Sequence, residues 1–300
     1  MMTEDEKKIQ TATHSQRPLR VGFCDSGLGG FTVLRYFMDA FPWMDCVYYG
    51  DNARAPYGDL SLTQLQKYAG ELRDFFLRQK VDAIVVACNT ISSNALDIMK
   101  DHFPFPVIGT ILPGAKGAVD AWLALQGEDP AKADMIGVIA TSKTVQSHAY
   151  REAIHAIHPD LKVQELACPL FVPAIEGRKQ GEPLLPLVHR QLSSWKSSCP
   201  PVVVMGCTHY PIIEQELQQV LGSSVVLINP AHWMLEAFVR EWKRAFGSHP
   251  DRQLPPFERD HRTVEIYTSG DAHAIKKAAL HLLPLGPATR FSFHSQPLSH

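Results

Sequence analysis

Two cysteines occupy matching positions in two similar stretches of this sequence. Cys88 lies in the stretch 84–90 (IVVACNT) and Cys207 in the stretch 202–210 (VVVMGCTHY), each after an apolar run and before polar residues. Apolar residues then recur at helical spacing, so each thiol is predicted to lie at a turn between a buried strand and a helix. The N–H groups and dipole at the start of a helix lower the pKa of a thiol from about 8.5 toward neutrality. A base with a pKa near the working pH is the most useful one for proton transfer.

The similarity of the two stretches extends upstream. One apolar segment is followed by Asp25, which precedes Cys88 by 63 residues, and another is followed by Thr141, which precedes Cys207 by 66 residues. We interpret this as one half-protein encoded twice. If the two halves face each other, each contributes one thiol to a shared cleft. Two thiols so placed can exchange a proton between opposite faces of one carbon atom.

Strand and helix patterns alternate along the chain, which is typical of mainly parallel sheets covered by helices. We therefore predict an α/β fold of two pseudo-symmetric domains, with the active site in the cleft between them. The predicted parts are an N-terminal extension over 1–19, a first α/β domain over 20–111 plus 229–283, a second α/β domain over 112–228, and a C-terminal tail over 284–300. Ligands bind beyond the carboxyl ends of strands in such sheets, and four candidate residues fall at these ends: Asp25, Cys88, Thr141 and Cys207.

Polar neighbours of the two thiols are candidates for assisting proton transfer. Asp25 opens the glycine-rich turn 25–30 (DSGLGG), which can cap a helix or hold an anion on its N–H groups. A dinucleotide fingerprint is excluded, because Thr32 stands where its third glycine would be. His209 follows Cys207 by two residues and could relay protons or simply be a polar residue at a turn. Cys88, Cys207 and His209 could bind a metal ion, but ligands as dispersed as these are not enough to predict a metal site from spacing.

The composition limits the choice of partner. The 300 residues carry a formal net charge of −2, and no block of Lys or Arg indicates nucleic acid or an anionic membrane. A small polar substrate fits this chain better. The first 20 residues lack the apolar core of a secretory signal, and no apolar run approaches the ~18 residues of a spanning helix, so we expect a cytoplasmic protein. The six cysteines have no disulfide-framework spacing and are expected to be reduced.

Several motifs in order, from about residue 21 to residue 271, make the chain resemble the glutamate racemases of the aspartate/glutamate racemase superfamily. They include CDSGLGG, YYGDNARAPYG, ACNT, GCTHYP and TSGD. The resemblance implies cofactor-independent interconversion of L- and D-glutamate by two cysteines, which supplies D-glutamate for peptidoglycan. Aspartate is the nearest rival substrate. The resemblance further implies a monomer or homodimer, and some relatives with similar extensions respond to a UDP-linked muramyl precursor as activator.

The resemblance also implies roles for individual residues. Cys88 is implied to take the α-proton from D-glutamate, and Cys207 to act on the L-enantiomer. Asp25 resembles the acidic assistant to the first cysteine, and His209, with Glu176 near it, the assistant to the second. The residues implied to hold the carboxylates and the ammonium group of the amino acid are Ser26, Asn89, Thr90, Thr141, Thr144 and Thr208, with Pro56, Tyr57 and Gly58 in a neighbouring loop.

Two hypotheses from other classes remain open. A thiol hydrolase would use Cys207 as nucleophile and His209 as base, and Cys88 would be dispensable. A non-catalytic amino-acid-binding protein would bind one enantiomer and turn over neither. The duplicated unit favours the racemase, because a hydrolase has no use for two symmetric thiols.

Overall fold

The computed structural model describes residues 19–128, 135–177, 183–196, 198–247, 261–284, 286 and 288–298. The predicted N-terminal extension lies outside the described residues, apart from Leu19. Ten strands lie in the described part of the chain: β1 (Arg20–Asp25), β2 (Asp45–Gly50), β3 (Ala83–Val86), β4 (Val107–Ile108), β5 (Met135–Ala140), β6 (Lys162–Ala167), β7 (Val202–Gly206), β8 (Val226–Ile228), β9 (Arg262–Thr268) and β10 (Thr289–Ser295).

These strands form two sheets in which every pair is parallel. The first sheet has the order β10-β9-β2-β1-β3-β4 and the second has the order β6-β5-β7-β8. The segment β2-β1-β3-β4 of the first sheet therefore repeats as the whole second sheet, with β1 matching β5 and β3 matching β7. The predicted α/β fold with two related parallel sheets is confirmed, and the inferred duplication is visible in the strand order.

Helices cover the faces of both sheets. In chain order the α-helices are α1 (Phe31–Ala40), α2 (Leu62–Arg78), α3 (Asn89–Asn94), α4 (Leu96–Lys100), α5 (Ile111–Glu128), α6 (Ser142–Gln146), α7 (Ala149–Ile157), α8 (Phe171–Glu176), α9 (Leu185–Gln191), α10 (Glu214–Leu221), α11 (Pro230–Phe246) and α12 (Ala272–Leu282). Ser61 caps α2 in a reciprocal capping box with Gln64, and Asn229 caps α11 just before Pro230. None of the described helices is long and apolar enough to cross a membrane.

The strands β1, β2, β3, β5 and β7 are buried on both faces, which explains why they are nearly continuous apolar runs. Successive residues of β2 point to opposite faces, as the two-residue period of a strand requires. Cys46 and Tyr48 pack into one apolar cluster with α1 and α11, whereas Val47 and Tyr49 pack into another with α2. The sheet is thereby fixed in position, and so are the turns that follow β1 and β3.

Three parts of the fold differ from the sequence-based expectation. The helix expected after Cys88 divides at Ala95. The sequence also predicts one helix over about 143–157, and this helix divides where His148 adopts a left-handed φ of 52°. The Pro/Gly-rich stretch 169–186 predicts no helix, yet it contains α8. Pro173 is the third residue of α8, in the first turn, where a missing N–H costs no intrahelical hydrogen bond.

The C-terminal residues also differ from the tail that the sequence predicts. Within 284–300, the strand β10 pairs in parallel with β9 along its whole length, and Phe291 and Phe293 pack partly against the core. The strand β9 in turn pairs with β2, so the chain returns to the first sheet after completing the second. The predicted first domain, 20–111 plus 229–283, includes this return of the chain, and the exact domain boundaries stay a prediction.

Candidate active site

The two thiols line one small cavity between the carboxyl ends of the two sheets. Cys88 follows β3 and Cys207 follows β7, and they are 5% and 7% exposed. The cavity has a volume of about 20 Å³. Its other lining residues come from the turns after β1, β3, β5 and β7, from the loop 56–58 and from α8: Ser26, Pro56, Tyr57, Gly58, Asn89, Thr90, Thr141, Val172, Gly206, Thr208 and His209.

Most of the residues predicted for the site are therefore brought together around this cavity. Three of the predicted residues do not line the cavity themselves, but each contacts a residue that does. Asp25 accepts a hydrogen bond from Thr208, Thr144 shares one with Thr141, and Glu176 lies against His209.

The surroundings of Cys88 disfavour its thiolate. Burial is the largest cause, and the nearby Asp25 carboxylate adds a like charge, so the pKa of Cys88 is raised to about 12. The backbone N–H groups of Ile91 and Ser26 favour the thiolate but do not offset these effects. The expectation that the helix start lowers this pKa toward neutrality is therefore wrong for Cys88. Desolvation of Cys88 in the closed cavity raises its pKa more than the start of the short helix α3 lowers it.

Asp25 is buried at the carboxyl end of β1, where the glycine-rich turn wraps around its carboxylate. Its Oδ2 accepts hydrogen bonds from the N–H groups of Gly27 (3.1 Å) and Gly30 (3.0 Å), and its Oδ1 accepts one from Thr208 Oγ1 at 3.2 Å. Burial raises the pKa of Asp25, against the opposing influence of His209 and of these hydrogen bonds. The N–H groups of the turn thus hold the carboxylate of Asp25, and the hydrogen bond from Thr208 joins the two halves of the protein.

Cys207 has a positively charged neighbour. His209 Nδ1 lies 3.8 Å from Cys207 Sγ, and His209 Nε2 lies 2.8 Å from Glu176 Oε1. Burial opposes the charge, but the contacts with Cys207 and Glu176 prevail and raise the pKa of His209 from 6.5 to about 10. An imidazolium ion at neutral pH can donate from both ring nitrogens, one to each partner.

Hydroxyl and amide groups complete the wall between the two thiols. Thr90 and Thr141 share a hydrogen bond of 3.2 Å between their hydroxyl oxygens across the two sheets, and Thr141 and Thr144 share one of 3.1 Å. Asn89 follows Cys88 directly, and its Oδ1 accepts a hydrogen bond from Tyr150. Such groups are suited to holding carboxylate and ammonium ions.

The loop 56–58 is held against the cavity by a buried ionic cluster. Tyr57 donates from its hydroxyl to the carboxylate of Asp51, which is fully buried and also pairs with Arg54. Gly58 faces Thr141, and a side-chain carbon at this glycine would lie 3.1 Å from Thr141 Cβ. The glycine therefore allows the loop of the first half to close onto the second half.

Three residues of the site were missed from the sequence. Val172 on α8 lines the cavity, Gly206 directly precedes Cys207, and Tyr150 supports Asn89 from behind. Val172 lies in the helix that sequence patterns did not reveal. Tyr150 is 61 residues from its partner Asn89, so no local sequence pattern connects the two residues.

The structure thus defines an α/β protein of two similar parallel units that place one thiol each at a common cavity. Comparison with known proteins then gives the family. Residues 44–237 match the family described as Asp/Glu/Hydantoin racemase. The chain belongs to this family.

Individual relatives are similar over most of their length. The glutamate racemase of Picosynechococcus sp. is 38% identical over 242 residues, which cover 80% of this chain and 83% of that protein. The crystal structure of the Bacillus anthracis glutamate racemase isoform RacE1 superposes with a TM-score of 0.79 at 28% identity, covering 93% of this chain and 98% of that one. The Francisella tularensis glutamate racemase in complex with D-glutamate gives a TM-score of 0.73 at 30% identity, covering 95% and 98%. The resemblance read from the motifs is thereby confirmed.

Proposed function

We propose that this protein racemises glutamate by proton transfer between Cys88 and Cys207, without a cofactor. The observation that carries the proposal is the pair of thiols at one cavity, one beside a carboxylate and the other beside an imidazolium ion. The names of the relatives support glutamate as the substrate. The family also favours this reaction over the thiol hydrolase and the binding protein.

In the resting enzyme Cys88 is the thiol, and the reaction of L-glutamate starts from a Cys207 thiolate. The positive charge on His209 stabilises an anion at Cys207, whereas burial and Asp25 keep the proton on Cys88. With L-glutamate, the Cys207 thiolate removes the α-proton and the C–H electron pair stays on the carbon. The Cys88 thiol then delivers its proton to the opposite face, which gives D-glutamate, a Cys88 thiolate and a Cys207 thiol.

The reverse reaction starts from the other protonation state. Cys88 must then be the thiolate, and its high pKa makes it a strong base toward the weakly acidic α-proton of D-glutamate. Asp25 raises the basicity of Cys88, and the pair His209–Glu176 stabilises Cys207 whenever it is ionised. In this scheme Asp25 assists the first thiol and His209 with Glu176 assists the second.

The remaining residues around the cavity hold and orient the substrate. We assign Ser26, Asn89, Thr90, Thr141, Thr144 and Thr208 to the carboxylates and ammonium group, and Pro56, Tyr57 and Gly58 to the adjoining wall. A volume of about 20 Å³ suffices for roughly one water molecule. The two halves must therefore separate to admit glutamate and close again around it. Closure excludes water, which strengthens the interaction of fixed dipoles with the developing carbanion.

The test is racemisation in D₂O, followed by circular dichroism and by NMR of the α-position, starting from each enantiomer. Both solutions should approach zero ellipticity and gain α-deuterium. Cys88→Ser and Cys207→Ser should each nearly abolish the reaction, because the serine hydroxyl is a far weaker acid. Cys199→Ser is the control, since Cys199 is half-buried and does not line the cavity. Full activity in either active-site variant would refute the two-base mechanism.

The physiological role follows from the product. We propose that the D-glutamate formed enters peptidoglycan synthesis in the cytoplasm. Activation by a UDP-linked muramyl precursor is tested by repeating the assay with this compound present. Replacing glutamate by aspartate in the same assay tests the rival substrate, and faster turnover of aspartate would change the assignment.

A further inference from the structure

Tyr150 belongs to neither thiol-bearing turn but contacts both. It is the second residue of α7, in the half of the chain that carries Cys207, and it is 1% exposed. Its hydroxyl group donates a hydrogen bond of 2.7 Å to Oδ1 of Asn89, the residue that follows Cys88. Burial raises the pKa of Tyr150, so the hydroxyl group keeps its proton and remains a donor.

This hydrogen bond determines which end of the Asn89 amide faces the substrate cavity. A side-chain amide has one carbonyl oxygen, which accepts, and one NH₂ group, which donates. Because Tyr150 occupies the oxygen, the NH₂ group is the end left to face the cavity that Asn89 lines. A donor in this place suits a carboxylate of the substrate, whereas a flipped amide would present an oxygen and repel it.

The ring of Tyr150 is fitted against the other thiol turn. A side-chain carbon at Gly206, which directly precedes Cys207, would lie 3.2 Å from Tyr150 Cε2. A side-chain carbon at Gly114 would lie 3.0 Å from Cε1 of the same ring. Both distances are tighter than ordinary contacts, so the two glycines make room for the ring. Tyr150 therefore touches one thiol turn with its ring and the other with its hydroxyl group.

We propose that Tyr150 is a positioning residue of the racemase: it fixes the Asn89 amide with its NH₂ group toward a substrate carboxylate, and it holds the Cys88 turn in register with the Cys207 turn. The inference rests on the proposed function. It adds a role that acts through Asn89, because the tyrosine hydroxyl itself is turned toward the amide oxygen.

The test is a double-mutant cycle that measures kcat and KM for both enantiomers. Tyr150→Phe removes only the hydroxyl group and should lower kcat/KM about tenfold. In the Asn89→Ala background the same change should alter kcat/KM less than twofold, because the group through which Tyr150 acts is gone. Tyr49→Phe is the matched control. Its hydroxyl group also donates a 2.7 Å hydrogen bond, to the carbonyl of Gln296, and neither residue lines the cavity. The kcat/KM of the Tyr49→Phe variant should stay within twofold of wild type.

Two results would overturn the inference: a Tyr150→Phe enzyme within twofold of wild type, or the same fold-loss in both backgrounds, which indicates a general structural effect. Thermal melting of all variants identifies misfolding. If Asn89→Ala turns over too slowly to measure, calorimetry gives the dissociation constant of D-glutamate for each variant of the cycle. The inference is then overturned if Tyr150→Phe changes this constant less than twofold, or by the same factor in both backgrounds. Turnover by the wild-type enzyme tests the proposed function separately, so the two failures are distinguishable.

Discussion

The protonation state of Cys88 can be measured without substrate, through the pH dependence of its alkylation. A thiol reacts with iodoacetamide as the thiolate, so its rate constant follows the ionised fraction. With the pKa of Cys88 raised to about 12, that fraction is on the order of 10⁻⁴ at pH 8 and on the order of 10⁻² at pH 10. The rate constant should therefore rise about tenfold per pH unit across this range, without a plateau.

Replacing Asp25 by Asn should make Cys88 more reactive and the enzyme less active. The substitution removes the like charge, which is the second cause of the raised pKa after burial, and a fall of about one unit would speed alkylation roughly tenfold at pH 8. Turnover from D-glutamate should fall, because Cys88 becomes a weaker base. The pH profile distinguishes this electrostatic effect from damage to the fold, because a thiol exposed by misfolding would reach a plateau above its ordinary pKa of about 8.5.

The assay is mass spectrometry of the Cys88 peptide after timed exposure to iodoacetamide between pH 7 and pH 10. Limited access to the closed cavity slows the reaction by a constant factor at every pH, so it leaves the slope unchanged. Cys199, which is half-buried and outside the cavity, reports on the reagent in the same samples. A plateau below pH 9 in the wild-type protein would refute the assignment of Cys88 as the resting thiol.

Two further predictions concern the groups around the thiols. Glu176→Gln removes the carboxylate that supports the His209 imidazolium, so the alkaline limb of the kcat/KM profile should move downward from about pH 10. The expected shift is only about one pH unit, because Glu176 is partly exposed and water screens its charge. Glu236→Gln, at an exposed glutamate, serves as control, and an unmoved limb in the Glu176 variant would contradict the role of Glu176. Arg54→Met leaves the buried Asp51 carboxylate without its cation, so the free energy of unfolding, measured by urea denaturation, should fall by about 3 kcal/mol. A loss below about 1 kcal/mol would show that the hydrogen bonds from Tyr57 and Ser269 suffice to hold Asp51.

Much of the fold could be predicted from the sequence because the strands are buried on both faces. Such strands are apolar runs of nearly their full length, and the run 135–140, which predicts a strand, forms β5. The turns after β1, β3, β5 and β7 could be located for the same reason, and with them most of the residues that line the cavity. The weaker elements, α8 and β10, lack this signal. Apart from Phe171 in α8, their residues are only partly buried or exposed.

The charge state of the site could not be predicted from local sequence. The helix-start argument treats Cys88 together with its immediate neighbours, whereas its pKa is set by burial and by Asp25, which is 63 residues away in the chain. Tyr150 and Asn89 are 61 residues apart, and Glu176 and His209 are 33 residues apart. Tyr150 and Asn89 meet across the two halves, whereas Asp25 and Cys88, like Glu176 and His209, meet within one half between elements that are distant in the chain. No short window of the sequence therefore contains both partners.

The duplication explains the pair of thiols, and its imperfection explains their different roles. Asp25 ends β1 and Thr141 follows the equivalent strand β5, so one half supplies a carboxylate where the other supplies a hydroxyl group. The second half instead carries His209 and Glu176, which place a positive charge beside Cys207. In the proposed mechanism, two thiols in identical surroundings would share the proton without preference, whereas burial and the Asp25 carboxylate keep it on Cys88. Since L- and D-glutamate have equal free energies, kcat/KM must be equal in both directions. The asymmetry can therefore appear only in kcat and KM taken separately, where the resting protonation state favours binding of the L-enantiomer first.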